Sequence, residues 1–237
     1  MAERGRRSSQ PLLSSILDTL GEEIVSGKQP EGHTFTLHDL SERFDISRTV
    51  AREAMRALEQ LGLVSSSRRV GLKVLPQSEW NVFDHAVISW RLRSDEQRPA
   101  QLASLRELRD SVEPGAARLA AVNATQEQAR RLRELAEQIV ELAGQDAGNS
   151  EAFQEADLAF HALMLEASRN EMFIALTQPI MGIMSGRALY GIMPDDPHVD
   201  TMQIHVELAA AISRGDADAA EDASRRLLRG VNDFMEM

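Results

Sequence analysis

The chain has 237 residues, ten aromatic residues, no cysteine and a formal net charge of −11. That length can bury one large core or two small ones, while the lack of cysteine excludes disulfides and thiolate metal sites. No apolar run reaches transmembrane length, and the start, MAERGRRSSQP, lacks the hydrophobic segment of a secretion signal, so a soluble cytoplasmic protein without membrane partners is expected.

Pro11 to Val25 predicts a first helix, because proline is tolerated at a first helical position and Leu13, Ile16, Leu17, Leu20 and Ile24 form one apolar stripe. Gly27 ends it. Thr36 with Asp39 three residues on has the form of a capping box, opening a second helix whose apolar residues are Leu37, Leu40 and Phe44. After the short break Asp45-Ile46-Ser47, Arg48, Arg52 and Arg56 recur every four residues and share a helical face. Ala51, Ala54, Leu58 and Leu61 take the opposite face, and Gly62 marks the end. Two β-prone runs follow between Leu63 and Val74, around Ser66-Ser67-Arg68-Arg69. Three helices and a β-wing make a winged helix-turn-helix.

Charge agrees with that partition. Residues 1–75 hold 11 Lys/Arg and 10 Asp/Glu, a net of +1 that leaves −12 for residues 76–237, and residues 46–73 carry six basic against two acidic side chains. Nucleic-acid affinity depends on such a local basic stripe, and without aromatics between the arginines a base-stacking single-strand binder is disfavoured.

Beyond Pro76, the apolar residues Trp80, Phe83, Val87 and Trp90 recur on one helical face and predict a linker helix docked on both halves of the chain. From Pro99 onward the pattern is helical, in segments broken near Asn123–Thr125, Gly144–Asn149, Asn170, Pro194–Pro197 and Gly215-Asp216. Thr125 with Gln128 forms another capping box; Asp196-Pro197 and Gly215-Asp216 mark helix starts. The expected fold is mainly α: a winged helix-turn-helix over 1–76, a linker helix over 77–98 and an antiparallel helical bundle over 99–237.

Within the bundle, Asp157 and His161 stand four residues apart on one helix, and His205 falls on the apolar stripe of Met202, Leu208, Ala209 and Ile212. An inward imidazole needs a hydrogen-bonding or metal partner. Arg187, isolated in the apolar stretch IMGIMSGRALYG, is a candidate for an anion. The methionines at 164, 172, 181, 184, 193 and 202 read as core filler, and His85 and His198 as surface residues.

SRTVAREAMRALEQLGLV (47–64) resembles the recognition helix and turn of GntR-type winged-helix regulators. ELRDSVEPGAARLAA (107–121), EADLAFHALMLEASRN (155–170) and IHVELAAAISRGDADAAEDASRRLL (204–228) resemble the all-helical FCD ligand-binding domain of the FadR subfamily. QSEWNVFDHAVISWRL (77–92) is similar to a stretch found in repressors of galactonate- and gluconate-type operons. The resemblance implies that Arg48, Thr49 and Arg52 contact bases and phosphates and that Gly71 in the wing approaches the DNA backbone or minor groove. Arg56, Arg68 and Arg69 are further candidate phosphate contacts. Where many members carry an arginine entering the second helix this chain has His38, so their operator sequence does not transfer.

The resemblance also implies a divalent cation, zinc or similar, on Asp157, His161 and His205. The fourth histidine of many members falls here on Leu227, which cannot ligate. Two readings therefore stand: a three-ligand metal site completed by water or effector, and a metal-free pocket in which the same three residues hydrogen-bond the effector. Arg109 occupies a position that carries arginine in the family and would hold the effector carboxylate, with Arg187 as a second candidate; the alternative for Arg109 is a salt bridge with Glu113. The implied protein is a homodimeric regulator of double-stranded operator DNA, a repressor released by a sugar acid. The alternatives are a regulator of another carboxylate pathway, a constitutive DNA-binding dimer, and a metal-dependent enzyme, for which no nucleophile constellation is present.

Overall fold

Helix α1 (Arg4–Val25) buries Ile16, Leu20, Ile24 and Val25 on one side and stops at Gly27, whose φ of +75° only glycine adopts freely. The computed structural model describes residues 4–67, 71–145, 150–182 and 199–233. Within them the chain divides into two compact units, residues 1–102 and 103–237, each with its own hydrophobic core. Helix α1 starts before Pro11, which therefore lies inside the helix and not at its first position; a proline there removes a single backbone hydrogen bond.

In the first unit a two-residue strand β1 (Thr34–Phe35) leads into α2 (Leu37–Phe44). Thr36 caps α2 reciprocally with Asp39: the Thr36 hydroxyl accepts from the Asp39 amide, and the Asp39 carboxylate accepts from the Thr36 amide. Asp45, in the left-handed region at φ 49°, turns the chain so that Ser47 can cap α3 (Arg48–Gln60) through the Val50 amide. Helix α3 buries Ala51, Ala54 and Leu58 against α1 and α2. Strands β2 (Val64–Ser67) and β3 (Gly71–Val74) form the wing, and β1 adds to it, so the antiparallel sheet runs β1-β3-β2 with Phe35 opposite Leu72 and Ser67 opposite Gly71.

A single 3-10 turn (Gln77–Glu79) separates the wing from α4 (His85–Arg93). Trp80 and Phe83 precede this helix, contrary to the continuous 80–90 stripe expected from spacing. The Asp84 side chain caps α4 through the Ala86 amide, which forces the helix to begin after it, and Phe83 is left 54 % exposed. Val87 and Trp90 do pack into the core of the first unit.

The second unit is helical in every described regular element: the bulk of α5 (Arg98–Asn123), then α6 (Gln126–Gly144), α7 (Glu151–Ala167), the short α8 (Glu171–Ala175), α9 (Val199–Arg214) and α10 (Ala217–Asp233). Thr125 and Gln128 form the expected capping box at α6, Asn170 caps α8, and Gly215 takes φ +73° between α9 and α10. Helix α9 packs between α6 and α10, and α7 packs on α6. Leu132, Ile139, Phe160, Met164, Leu208, Ile212 and Leu227 are all fully or nearly fully buried there. Met172 is a departure from the core-filler reading, since it stands 69 % exposed at the start of the short α8. The Asp196-Pro197 signal, Arg187, His198, Met184 and Met193 lie outside the described residues.

Candidate functional site

The capping arrangement at Ser47 places Arg48 and Thr49 at the free N-terminal end of α3, with Arg52 and Arg56 following along the same face. All four side chains are exposed, and among the described residues none of the three guanidiniums lies within salt-bridge distance of a carboxylate. Such a row leaves its hydrogen-bond donors free for phosphates and guanine edges. Glu59, on the same helix, accepts from the Ser66 amide of β2 and so fixes the wing relative to α3. Gly71 has φ +86°, and a Cβ there would meet the Phe35 carbonyl oxygen at 2.7 Å. The close approach that demands glycine is thus one between β3 and β1. Arg68 and Arg69 lie outside the described residues.

The second constellation lies inside the bundle. Helix α7 carries Asp157 and His161 one turn apart, α9 carries His205, and α5 carries Arg109 and Glu113 one turn apart. Asp157 Oδ1 is 3.2 Å from His205 Nε2 and 3.6 Å from His161 Nε2. On its other side, His161 Nδ1 is 2.8 Å from Glu113 Oε2. Arg109 donates from Nε to Glu113 Oε1 at 2.5 Å, and its Nη2 lies 3.4 Å from His161 Nε2. Arg109, Glu113, His161 and His205 are all buried; Asp157 is the member with access, its side chain 18 % exposed. Phe160 stands edge-on to both imidazoles, 5.6 and 5.0 Å between centroids, and walls the cluster on that side.

Charge within the cluster is balanced internally. Burial disfavours the ionised Glu113 carboxyl, but Arg109 and His161 outweigh it and hold its pKa below the usual carboxylate range. Asp157 is likewise lowered against its burial, by hydrogen bonds and charge from the two histidines. Burial disfavours the His161 imidazolium, yet the facing carboxylates carry its pKa up to about 9. In the metal-free protein, Arg109 and protonated His161 therefore face Glu113 and Asp157, two cations against two anions.

The donor set fits a cation. His205 Nδ1 is 3.1 Å from the Met202 carbonyl, which can only accept, so that nitrogen carries a proton, and in the neutral ring Nε2 presents a lone pair. That lone pair is buried without a hydrogen-bond donor among the described residues, and the atom it faces is a carboxylate oxygen. Two acceptors at 3.2 Å require a proton or a metal between them. One donor atom each from Asp157, His161 and His205 lies within 4.8 Å of the others, and a first-row divalent ion with ligands at about 2.0–2.2 Å spaces its donors by roughly 3–3.5 Å. The buried Asp/His/His cluster could therefore chelate a metal ion. Leu227 sits in the core of the bundle and offers no donor.

Comparison with known proteins bears on both constellations. Residues 12–74 match the model of the bacterial regulatory proteins of the gntR family, and residues 104–230 match the FCD domain. The galactonate operon transcriptional repressor of Escherichia coli is 32 % identical over 215 residues, covering 90 % of this chain and 92 % of that protein. The chain belongs to the GntR family of regulators and carries an FCD domain. Its relatives include the Uxu operon regulator of Haemophilus influenzae, 26 % identical over 83 % of this chain and 71 % of that protein. Among solved structures, a GntR protein of Streptococcus agalactiae shares the fold at a TM-score of 0.52 and 22 % identity, over 93 % of this chain and 99 % of that one. A GntR-family member is a transcriptional regulator and not an enzyme, and the enzyme alternative is set aside. No described helix is long and apolar enough to cross a membrane.

Of the residues singled out from sequence, the structure brings Arg109, Asp157, His161 and His205 together. It engages Arg109 with Glu113, the alternative already visible in their spacing. Glu113 itself was named only as that partner; its contact with His161 joins two helices and has no signature within either one.

Proposed function

We propose that this protein is a cytoplasmic, homodimeric repressor of the FadR type that controls a sugar-acid catabolic operon and leaves its operator when the sugar acid binds. The observation that carries this reading is the buried Asp157–His161–His205–Arg109 cluster inside the FCD unit. A sugar acid offers one carboxylate and a row of hydroxyls, and this cluster offers a guanidinium, two imidazoles and a half-buried carboxylate through which it can be approached. The relation to a galactonate operon repressor over 90 % of the chain supports the choice of ligand class.

In this reading residues 1–76 bind operator DNA, with Arg48, Thr49 and Arg52 reading bases and Arg56, Arg68, Arg69 and the Gly71 backbone on or near phosphates. Residues 77–98 connect them to the sensing and dimerisation domain, 99–237. A divalent cation, zinc or similar, sits on Asp157, His161 and His205, and water or effector oxygens complete its sphere in place of a fourth protein ligand. When bound, that ion would supply a positive centre for the effector's carboxylate and hydroxyl oxygens. Arg109, tied to Glu113 through Nε and Nη2, has Nη1 for the effector carboxylate, and Arg187 is a second candidate. Coupling between the effector and operator sites amounts to about 1–3 kcal/mol in such regulators.

Gel shift with the region upstream of the protein's own gene, with and without galactonate, gluconate and related acids, tests the reading. One acid of the panel should weaken operator binding by about 5–150-fold. If none changes either DNA affinity or melting temperature, the sensing role is wrong. Metal analysis of the purified protein beside a His205→Ala variant separates the cation site from a metal-free pocket.

A further inference from the structure

Beside the three candidate ligands lies the Glu113 carboxylate, which is 0 % exposed. Both of its oxygens face Arg109, and one also faces His161. Oε1 accepts from Arg109 Nε at 2.5 Å; Oε2 accepts from Arg109 Nη2 at 3.4 Å and lies closer, 2.8 Å, to His161 Nδ1. Nδ1 is buried and makes no aligned hydrogen bond among the described residues, and the Glu113 carboxylate at 2.8 Å is the acceptor within reach of its proton. We propose that Glu113 is a positioning residue for the cation site: it holds His161 as the Nδ1–H form and turns Nε2 toward Asp157 and His205.

The chemistry follows from the two ring nitrogens. A neutral imidazole has one N–H and one lone pair, and a carboxylate on Nδ1 keeps the proton there, leaving the lone pair on Nε2. Nε2 is the nitrogen that faces Asp157 Oδ1, at 3.6 Å, with Arg109 Nη2 at 3.4 Å beside it, and so shares the centre with His205 Nε2. A carboxylate behind a ligating imidazole also raises its basicity toward a metal, and loss of such partners typically weakens metal affinity about 10–100-fold. His205 is served differently, by the Met202 backbone carbonyl, which no side-chain substitution removes. Glu113 is thus the part of this support that mutation can reach.

The inference rests on the cation reading, and the test keeps the two apart. Zinc affinity of the full-length protein is measured by competition with a chromophoric chelator for the wild type and for Glu113→Gln, which keeps the volume of the side chain. The wild type should bind zinc, and Glu113→Gln should bind it about 10–100-fold more weakly. A wild type that binds no zinc fails the cation reading and takes this inference with it; a wild type that binds, with Glu113→Gln equally tight, overturns the inference alone. Because Glu113→Gln leaves Arg109 buried without its counter-ion and can unfold the bundle, the comparison is repeated in an Arg109→Met background. If Glu113 serves only to neutralise Arg109, adding Glu113→Gln to Arg109→Met leaves zinc affinity unchanged, and the proposal is wrong. If it positions His161, the loss persists in that background.

Discussion

Helix α4 meets α1 through an indole laid on a glycine, and that contact can be tested by adding one methyl group. A Cβ built on Gly21 would stand 2.5 Å from the Trp90 ring atoms Cδ2 and Cε3, where carbon atoms need about 3.5 Å or more. The ring cannot simply retreat: Trp90 is 2 % exposed, and its Nε1 donates to Asp18 Oδ1 at 2.8 Å. Arg93, one turn away, pairs with Asp18 and Glu22 on the same stretch of α1. Overpacking of this kind costs about 1–3 kcal/mol, and the better helix propensity of alanine returns up to about 1 kcal/mol. Gly21→Ala should therefore destabilise the first unit by about 1–2 kcal/mol, a fall of roughly 5–10 °C in its melting temperature for a unit of this size. Calorimetry is the suitable assay, because two compact units can unfold in separate transitions. In a Trp90→Leu background the clash is gone, and Gly21→Ala should become neutral or stabilising by up to about 1 kcal/mol. Equal effects of Gly21→Ala in the two backgrounds would refute the packing argument.

On the DNA side, Arg48→Ala and Arg52→Ala should each lower operator affinity by an amount equivalent to about 1–3 kcal/mol and relax discrimination, whereas Arg56→Ala should weaken binding to all sequences and flatten its salt dependence; fluorescence anisotropy at several salt concentrations reads both, and an Arg52→Ala protein within twofold of wild type would remove Arg52 from the reading face. Gly71→Ala, forced to φ +86° and against the Phe35 carbonyl, should cost about 1–3 kcal/mol in the first unit, seen as an earlier melt with the second unit unchanged. Thr125→Ala removes the hydroxyl half of the capping box on α6 and should cost about 1 kcal/mol in the second unit. For the metal-free protein, the His161 pKa is raised to about 9 in the fold from an ordinary value near 6.5, so its contribution is complete below about pH 6.5 and lost as pH rises through 9; chelator-treated protein should melt progressively earlier between pH 7 and 9.5, by an amount on the order of a few kcal/mol at most, and a flat profile would show that His161 is not held as the imidazolium.

What could be read in advance was what chain neighbours decide. Thr36 with Asp39 and Thr125 with Gln128 are complete capping boxes because every atom involved lies within four residues. The buried side of α3 and its exposed arginines follow from spacing alone. The failures are of the opposite kind. Strand β1 is two residues long and exists because Thr34 and Phe35 pair with Lys73 and Leu72, almost forty positions on, so no local pattern announces it. Helix α4 starts at His85 because Asp84 caps it, and the apolar residues at 80 and 83 mimicked helical periodicity from outside the helix. For the buried cluster, the i, i+4 pairs 109/113 and 157/161 were visible on their separate helices. That Glu113 bridges the two pairs depends on how α5 and α7 pack, and helix packing is where sequence spacing stops being informative.

The contents of that cluster say why it is there. Three charged side chains and two imidazoles occupy the interior of a helical unit whose surrounding residues are Leu, Ile, Ala, Phe and Met. Replacing a buried ion pair with apolar side chains of similar volume is often neutral or stabilising by about 1–4 kcal/mol, whereas removing one partner alone costs about 3–5 kcal/mol. A bundle that only dimerised would do as well or better with leucine at 109, 113 and 157, where interior packing needs no charge. Stability therefore does not account for the cluster, and its geometry points to what does. Asp157, the one partly accessible member, is also the group both imidazoles face, so a cation arriving from its side would meet the anion first and the two nitrogens next, with Arg109 Nη2 3.4 Å from His161 Nε2.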